Sequence, residues 1–121
     1  MVLPAHSYNG TLGLARELEA AARFTLRPVD VADTDQVLAA LQGADVLWLE
    51  SPTNPMLEVA DLPALLAAAK AQDVLGIVDN TFATPLLQRP LELGADLVVH
   101  SVTKYLSGHS DVIMGALVTR D

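Results

Sequence analysis

Six side chains in this sequence have the types that reactive sites use: the amine of Lys104, the hydroxyls of Ser101 and Thr103, the carboxylate of Asp79, the amide of Asn54 and the phenol of Tyr8. A lysine amine can form a Schiff base with a carbonyl compound. Two hydroxyls near backbone N–H groups suit a phosphate. A carboxylate at the end of an apolar strand suits a protonated heterocyclic nitrogen, and a phenol ring can stack on a flat one. The chain has no cysteine, so disulfides, thiolate nucleophiles and Cys-ligated metals are excluded. Its three histidines, His6, His100 and His109, are dispersed without paired spacing, which argues against a metal site. His109 in Gly108-His109-Ser110-Asp111 therefore reads as structural.

These residues need elements to position them. Short apolar runs alternate with helical patterns along the chain, which argues an α/β fold with a mostly parallel sheet flanked by helices. Strands are expected at 1–3, 24–29, 46–49, 74–78, 97–100 and 112–118. A helix over 11–22 would place Leu12, Leu14, Leu18 and Ala21 on one side. A second runs from an Asp33 or Thr34 cap through Val37, Leu38 and Leu41 to Gly43. A third covers 62–71 behind an Asp61 cap and is rich in Ala and Leu, the best helix formers. A short fourth over 85–93 should be distorted by Pro90 and stopped by Gly94. Tyr8, Glu50 to Asn54, Asp79 to Thr81 and Ser101 to Lys104 each follow one of the apolar runs. In an open parallel sheet ligands bind outside the carboxyl ends of the strands, so all four groups are expected at one edge of one sheet.

Composition narrows the partners. With 121 residues, 51% of them apolar and 18% charged, the chain suffices for one domain and is too apolar for disorder. No apolar run approaches the ~20 residues of a membrane span. The formal charge is −8 and the only lysines are Lys70 and Lys104, so nucleic acid and anionic membrane are poor partners. Residues 1–6 lack the basic and long apolar regions of a signal peptide, and a cytoplasmic site is the default expectation. The mean hydropathy of +0.36 is high for a small soluble chain and suggests that more protein normally covers it.

An amine, phosphate-binding hydroxyls, a carboxylate for a ring nitrogen and a stacking phenol together describe a site for pyridoxal 5'-phosphate, whose protonated ring draws electrons from a substrate carbanion. The segment Ser101-Val102-Thr103-Lys104-Tyr105-Leu106-Ser107-Gly108-His109-Ser110-Asp111 closely resembles the lysine segment of the Cys/Met-metabolism (trans-sulfuration) family of pyridoxal-phosphate enzymes. Three further segments resemble the same family in the same order: 50–55 (ESPTNP), 78–82 (VDNTF) and 88–96 (QRPLELGAD). The earlier Tyr8-Asn9-Gly10-Thr11 resembles the family's tyrosine turn. Four ordered motifs are far more specific than any one alone, and the resemblance covers nearly the whole chain.

The resemblance implies the large domain of a fold-type I, aspartate aminotransferase-like enzyme. It implies γ-replacement or γ-elimination on homoserine-derived or sulfur amino acids, of the cystathionine γ-synthase or γ-lyase type. The β-lyases, methionine γ-lyases and O-acylhomoserine sulfhydrylases of the family are alternatives. Lys104 would carry the cofactor as a Schiff base and shuttle protons. Asp79 would pair with the ring nitrogen, and Ser101 and Thr103 would bind the phosphate, facing one way along an extended stretch. Tyr8 would stack on the ring and act on the leaving group, joining Lys104 as a catalytic residue, and Asn54 would sit by the phenolic oxygen. Read singly, the same residues have plainer roles. Asp79 could cap a turn, Ser101 and Thr103 could cap a helical turn, and Tyr8 could be packing. Lys70, on an Ala-rich helix, reads as a solvated surface residue.

The family's enzymes carry an upstream phosphate loop, contacts from a neighbouring subunit in a homo-oligomer (a tetramer, or dimer of dimers), and a C-terminal domain whose arginine holds the substrate carboxylate. Residues 1–121 are thus expected to be a partial cofactor-binding large domain, without the N-terminal segment and the small domain, and inactive alone. Two other classes stay open: a non-catalytic α/β fragment or binding module, and a cofactor-independent lyase using Lys104 directly, against which the Ser101/Thr103 pair counts. Neither G-x-G-x-x-G nor G-x-x-x-x-G-K-[ST] occurs, which disfavours a nucleotide-binding domain.

Overall fold

The computed structural model describes residues 1–120. Strand β1 (Val2–Pro4) leads into helix α1 (Asn9–Ala20), then β2 (Arg27–Val29), α2 (Thr34–Ala40) and β3 (Val46–Glu50). Helix α3 (Leu62–Ala71), β4 (Leu75–Asp79), α4 (Thr84–Leu87), β5 (Leu97–Ser101) and β6 (Gly115–Thr119) follow. The strands form one six-stranded sheet in the order β2-β1-β3-β4-β5-β6. All neighbours are parallel except the β5/β6 pair, which is antiparallel. No helix among the described residues is long and apolar enough to cross a membrane.

The chain leaves β1 toward β2 on one side and returns to β3 on the other, so strand order reverses between β1 and β3. Crevices at such reversals are where α/β sheets bind ligands. Here β1 and β3 share the single register pair Val2/Leu47, whereas β3 and β4 stay paired from Val46/Leu75 to Glu50/Asp79.

The core lies on one face of the sheet. Leu47 and Leu49 of β3, Val78 of β4 and Val98 of β5 alternate inward and are all buried. Helix α3 meets them with Leu62, Leu65, Leu66 and Ala69, the i, i+3, i+4, i+7 stripe of a core-facing helix. Its N-terminus is fixed by Asp61, whose side chain accepts a bond from the Ala64 N–H at 3.1 Å. Helix and sheet come unusually close at Gly76, where a Cβ would fall 2.9 Å from Leu66 Cδ2. Each buried leucine contributes roughly 1.5–3 kcal/mol through burial.

Several expectations shift. The helix expected over 85–93 is only the four residues Thr84–Leu87, and Gln88 is already extended at φ −145°. Pro90 bars the helix from resuming, since it disfavours helical backbone at Arg89 and has no N–H to donate, and 90–94 close as turns instead. The strand expected over 24–29 shrinks to Arg27–Val29, because the Leu26 N–H is taken by the Glu19 carboxylate at 2.6 Å rather than by a neighbouring strand. Helix α1 begins two residues earlier than 11–22, with Tyr8 at its N-cap. Its apolar face was misjudged as well: Ala15 is buried while Leu14 is 58% exposed. Leu12 and Leu14 are about 200° apart around a helix and cannot share a face. The last strand is Gly115–Thr119 rather than 112–118, and β4 extends through Asp79.

Candidate functional site

The carboxyl ends of β1, β3, β4 and β5 surround a cavity of about 310 Å³ lined by Tyr8, Glu50, Pro52, Asn54, Asp79, Thr81, Phe82, Ser101, Thr103, Lys104 and Ile113. All six residues singled out from the sequence lie on its wall. Tyr8 is half exposed at the N-cap of α1, just beyond β1. Its ring fits over the start of the helix because residue 10 is glycine; a Cβ there would come within 2.6 Å of Tyr8 Cε1. Asn54 stands in the turn after β3, its N–H donating to Glu50 Oε1 at 2.7 Å.

Asp79 ends β4, and its Oδ1 accepts from both the Thr81 N–H (3.0 Å) and the Thr81 hydroxyl (2.6 Å). The Thr81 oxygen in turn accepts from the Ser101 N–H at 2.8 Å. Thr81 thereby links the carboxylate of β4 to the end of β5. The turn-capping role and a place on the cavity wall coexist in Asp79, because both bonds use Oδ1 and no side-chain or backbone group among the described residues bonds Oδ2.

Ser101 and Thr103 do not lie in one extended stretch. After Ser101 the backbone turns, with the Lys104 N–H donating to Ser101 O at 3.0 Å and the Gly108 N–H to Lys104 O at 2.9 Å. A turn brings three of the four positions 101–104 round to one opening, which is how Ser101, Thr103 and Lys104 all reach the cavity. The two hydroxyls also differ. Thr103 accepts from the Met114 N–H at 2.9 Å and donates to Met114 O at 3.2 Å, pinning the segment ahead of β6. The Ser101 hydroxyl makes no bond to another described residue. Lys104 is exposed and forms no ion pair among the described residues. His109 bonds the Ser107 carbonyl at 2.7 Å, outside the cavity lining.

Two ionisable groups nearby are perturbed. Burial pushes the Glu50 carboxyl above its ordinary value of 4.5, with bonds from Tyr8, Ser7 and Asn54 pulling it back and the Asp79 charge adding to the rise. Burial pushes the His100 imidazole below 6.5, opposed by the Asp79 charge.

Comparison with known proteins places the chain in a family. Residues 1–121 match the family described as Cys/Met metabolism PLP-dependent enzyme. The chain belongs to that family. It is 45% identical over 122 aligned residues to a cystathionine gamma-synthase of Mycobacterium leprae, covering 100% of this chain and 31% of that protein. It is 43% identical to a cystathionine beta-lyase of Lactococcus lactis, covering 98% of this chain and 32% of the relative. The crystal structure of cystathionine gamma synthase from Xanthomonas oryzae pv. oryzae in complex with cystathionine superposes with a TM-score of 0.95 at 45% identity, over 99% of this chain and 31% of that one. The chain thus spans about a third of the length of the relatives it matches.

Sequence reasoning puts Glu50, Pro52 and Thr81 at this edge without giving any of them a role, includes Phe82 only within a motif, and does not place Ile113 there. For Thr81 a signal existed, since Asp-x-Thr is an Asx-turn pattern whose hydroxyl can return to the carboxylate. Glu50 could have been flagged as an acid closing the apolar run Val46-Leu47-Trp48-Leu49. Nothing local marks Ile113.

Proposed function

We propose that this cavity holds pyridoxal 5'-phosphate on Lys104 and that the complete protein catalyses elimination or replacement at the γ-carbon of a homoserine-derived or sulfur-containing amino acid. The observation that carries the reading is the meeting of an unpaired lysine amine, a carboxylate with one free oxygen, a free hydroxyl and a half-exposed phenol in one cavity at the strand-order reversal. That donor set fits the cofactor's aldehyde, ring nitrogen, phosphate and ring face. When bound, the cofactor supplies an electron sink for a carbanion. Lys104 Nζ holds the cofactor's aldehyde carbon and later moves a proton between substrate carbons. Asp79, oriented by Thr81, presents Oδ2 to the ring nitrogen and keeps it protonated. Ser101 donates a hydrogen bond from its hydroxyl to the phosphate. Thr103 can join only by turning its proton away from Met114 O, so it is the weaker contact. Tyr8 covers the ring face, and Asn54 stands near the phenolic oxygen.

The described residues form part of a large cofactor domain, and the remaining domain and substrate-carboxylate contacts lie elsewhere in a longer, cytoplasmic homo-oligomeric protein. Matches spanning about a third of each relative support the first statement. Exposed apolar side chains support the second: Ile113 is 97%, Leu86 88% and Leu117 72% exposed. A second reading, β-elimination, has the support of the 43% identity to the Lactococcus lactis cystathionine beta-lyase.

Borohydride treatment of the cofactor-loaded protein, followed by peptide mapping, should place the reduced cofactor on Lys104. Modification elsewhere, or none, overturns the assignment. With cystathionine as substrate, a four-carbon 2-oxo acid marks γ-elimination and a three-carbon one marks β-elimination. Cystathionine made from cysteine and a homoserine ester marks γ-replacement.

A further inference from the structure

We propose that Glu50 is a positioning residue of the cofactor pocket, its carboxylate tying the β1–α1 loop to the β3–α3 loop so that Tyr8 and Asn54 face the cofactor as one unit. The inference rests on the pyridoxal-phosphate reading and adds to it a residue that acts through two others.

The argument begins at the strand-order reversal. Because β1 and β3 share only the Val2/Leu47 register pair, the chain beyond each strand has no ladder to join it to the other. Glu50 supplies the missing connection. Its Oε2 accepts from the Ser7 hydroxyl at 2.8 Å and the Tyr8 N–H at 2.9 Å, and its Oε1 accepts from the Asn54 N–H at 2.7 Å. Both sides of the crevice therefore hang on one side chain that is 4% exposed.

The chemistry of the group is specific to this task. Three donors converge on it, and an ionised carboxylate is acceptor-only, so all three are satisfied at once. Glutamine would offer one oxygen and turn an NH₂ group toward donors. No cation pairs with Glu50 among the described residues, and burying an unpaired carboxylate is unfavourable unless hydrogen bonds hold it. A residue serving only to fill space there would more cheaply be apolar. On the solvent side His6 Nδ1 meets Glu58 Oε1 at 2.8 Å across the same two loops, but His6 is 53% exposed at its side chain and such contacts hold little. The buried tie is the one that sets the geometry.

The test uses the complete protein with Glu50→Gln, Ser7→Ala, Tyr8→Ala and the Glu50→Gln/Tyr8→Ala pair. Amide hydrogen exchange is followed without cofactor, and pyridoxal-phosphate affinity and visible circular dichroism with it. In Glu50→Gln the Tyr8 and Asn54 amides should exchange faster while Val78 in the core keeps its protection. Cofactor affinity should fall about tenfold, the loss of one charge-assisted bond's worth of positioning. The dichroism of the bound chromophore should change, and the double variant should lose less than the sum of the single losses. Unchanged exchange at both amides, or strictly additive losses, overturns the proposal. Should Glu50→Gln fail to fold, Ser7→Ala removes one donor and keeps the carboxylate; it should weaken affinity about two- to threefold, and wild-type affinity together with wild-type Tyr8 exchange would overturn the proposal. A wild-type protein that takes up no cofactor on Lys104 defeats the underlying reading instead, and the exchange data then decide whether Glu50 ties the loops.

Discussion

Replacing Thr81 by Val tests the link between β4 and β5 at its narrowest point. Valine keeps the shape and branching of threonine and removes one oxygen. Two bonds are lost with it: the hydroxyl's donation to Asp79 Oδ1 at 2.6 Å and its acceptance from the Ser101 N–H at 2.8 Å. A bond to a charged group is worth about 1.5–3 kcal/mol, and a backbone N–H left without a partner costs about 1–3 kcal/mol. Both groups are only partly buried, so water recovers a share, and a net loss of about 2–3 kcal/mol is expected. The Thr81 N–H still holds Asp79 Oδ1 at 3.0 Å, which keeps the turn from opening. Urea unfolding of the cofactor-free protein reads the loss directly. At a slope near 2 kcal/mol/M, the midpoint should fall by about 1–1.5 M. Thr81→Ser retains the oxygen and should stay within about 0.5 kcal/mol of wild type. If Thr81→Val also stays within that margin, the two bonds carry no net stability and the oriented Asp79 carboxylate loses its physical basis.

Other outcomes follow from single contacts. Gly10→Ala places a methyl where the Tyr8 ring now lies, so the ring must swing away; stability should change little, while cofactor affinity should fall, as measured by titration at the chromophore band. Asp61→Ala removes the cap of α3 and should cost about 1 kcal/mol in urea unfolding, with cofactor affinity unaltered. The buried His100 imidazole has its proton affinity lowered by desolvation, so its contribution to stability is fully present above 6.5 and is lost as pH falls through its folded value. His100→Gln should flatten the fall in unfolding free energy below pH 6.5, and curves that run parallel to wild type would refute that assignment.

Elements marked by an unbroken apolar run or by a cap with strong helix formers were legible from the residues. The run Val46-Leu47-Trp48-Leu49 and the Ala- and Leu-rich segment 62–71 behind Asp61 announce a strand and a helix, and both stand within a residue of expectation. Boundaries failed where a side chain competes for backbone groups or a proline removes the option of a helix. Glu19 capturing the Leu26 N–H shortens β2, and Pro90 prevents 85–93 from continuing as a helix. Neither effect has a periodic signature: the first depends on which partner arrives in three dimensions, and the second is a local backbone effect whose reach along the chain the pattern does not mark. The antiparallel turn of β6 belongs to the same class: it follows from Thr103 grasping both backbone groups of Met114 across eleven residues.

The site divides along a similar line. Residues that present a functional group to the cavity, such as Lys104, Asp79 and Ser101, announce themselves by type and by following an apolar run. Residues that hold those groups in place do so through bonds to backbone N–H groups, and any sequence supplies such donors everywhere. Glu50 reaches back 42 residues to the Tyr8 N–H, and Thr81 reaches forward 20 to that of Ser101. What singles out Glu50 is that the parallel ladder stops short of the cavity at the β1/β3 reversal, leaving backbone donors there without strand partners, whereas Thr81 takes the Ser101 N–H just past the end of the β4/β5 ladder. An opening in a sheet wide enough for a ligand must leave such donors, and side-chain oxygens near the strand ends must then take them. The supporting residues of this pocket are thus a consequence of its topology. Their positions become inferable once strand order is known, and the crevice between β1 and β3 is where that order makes Glu50 necessary.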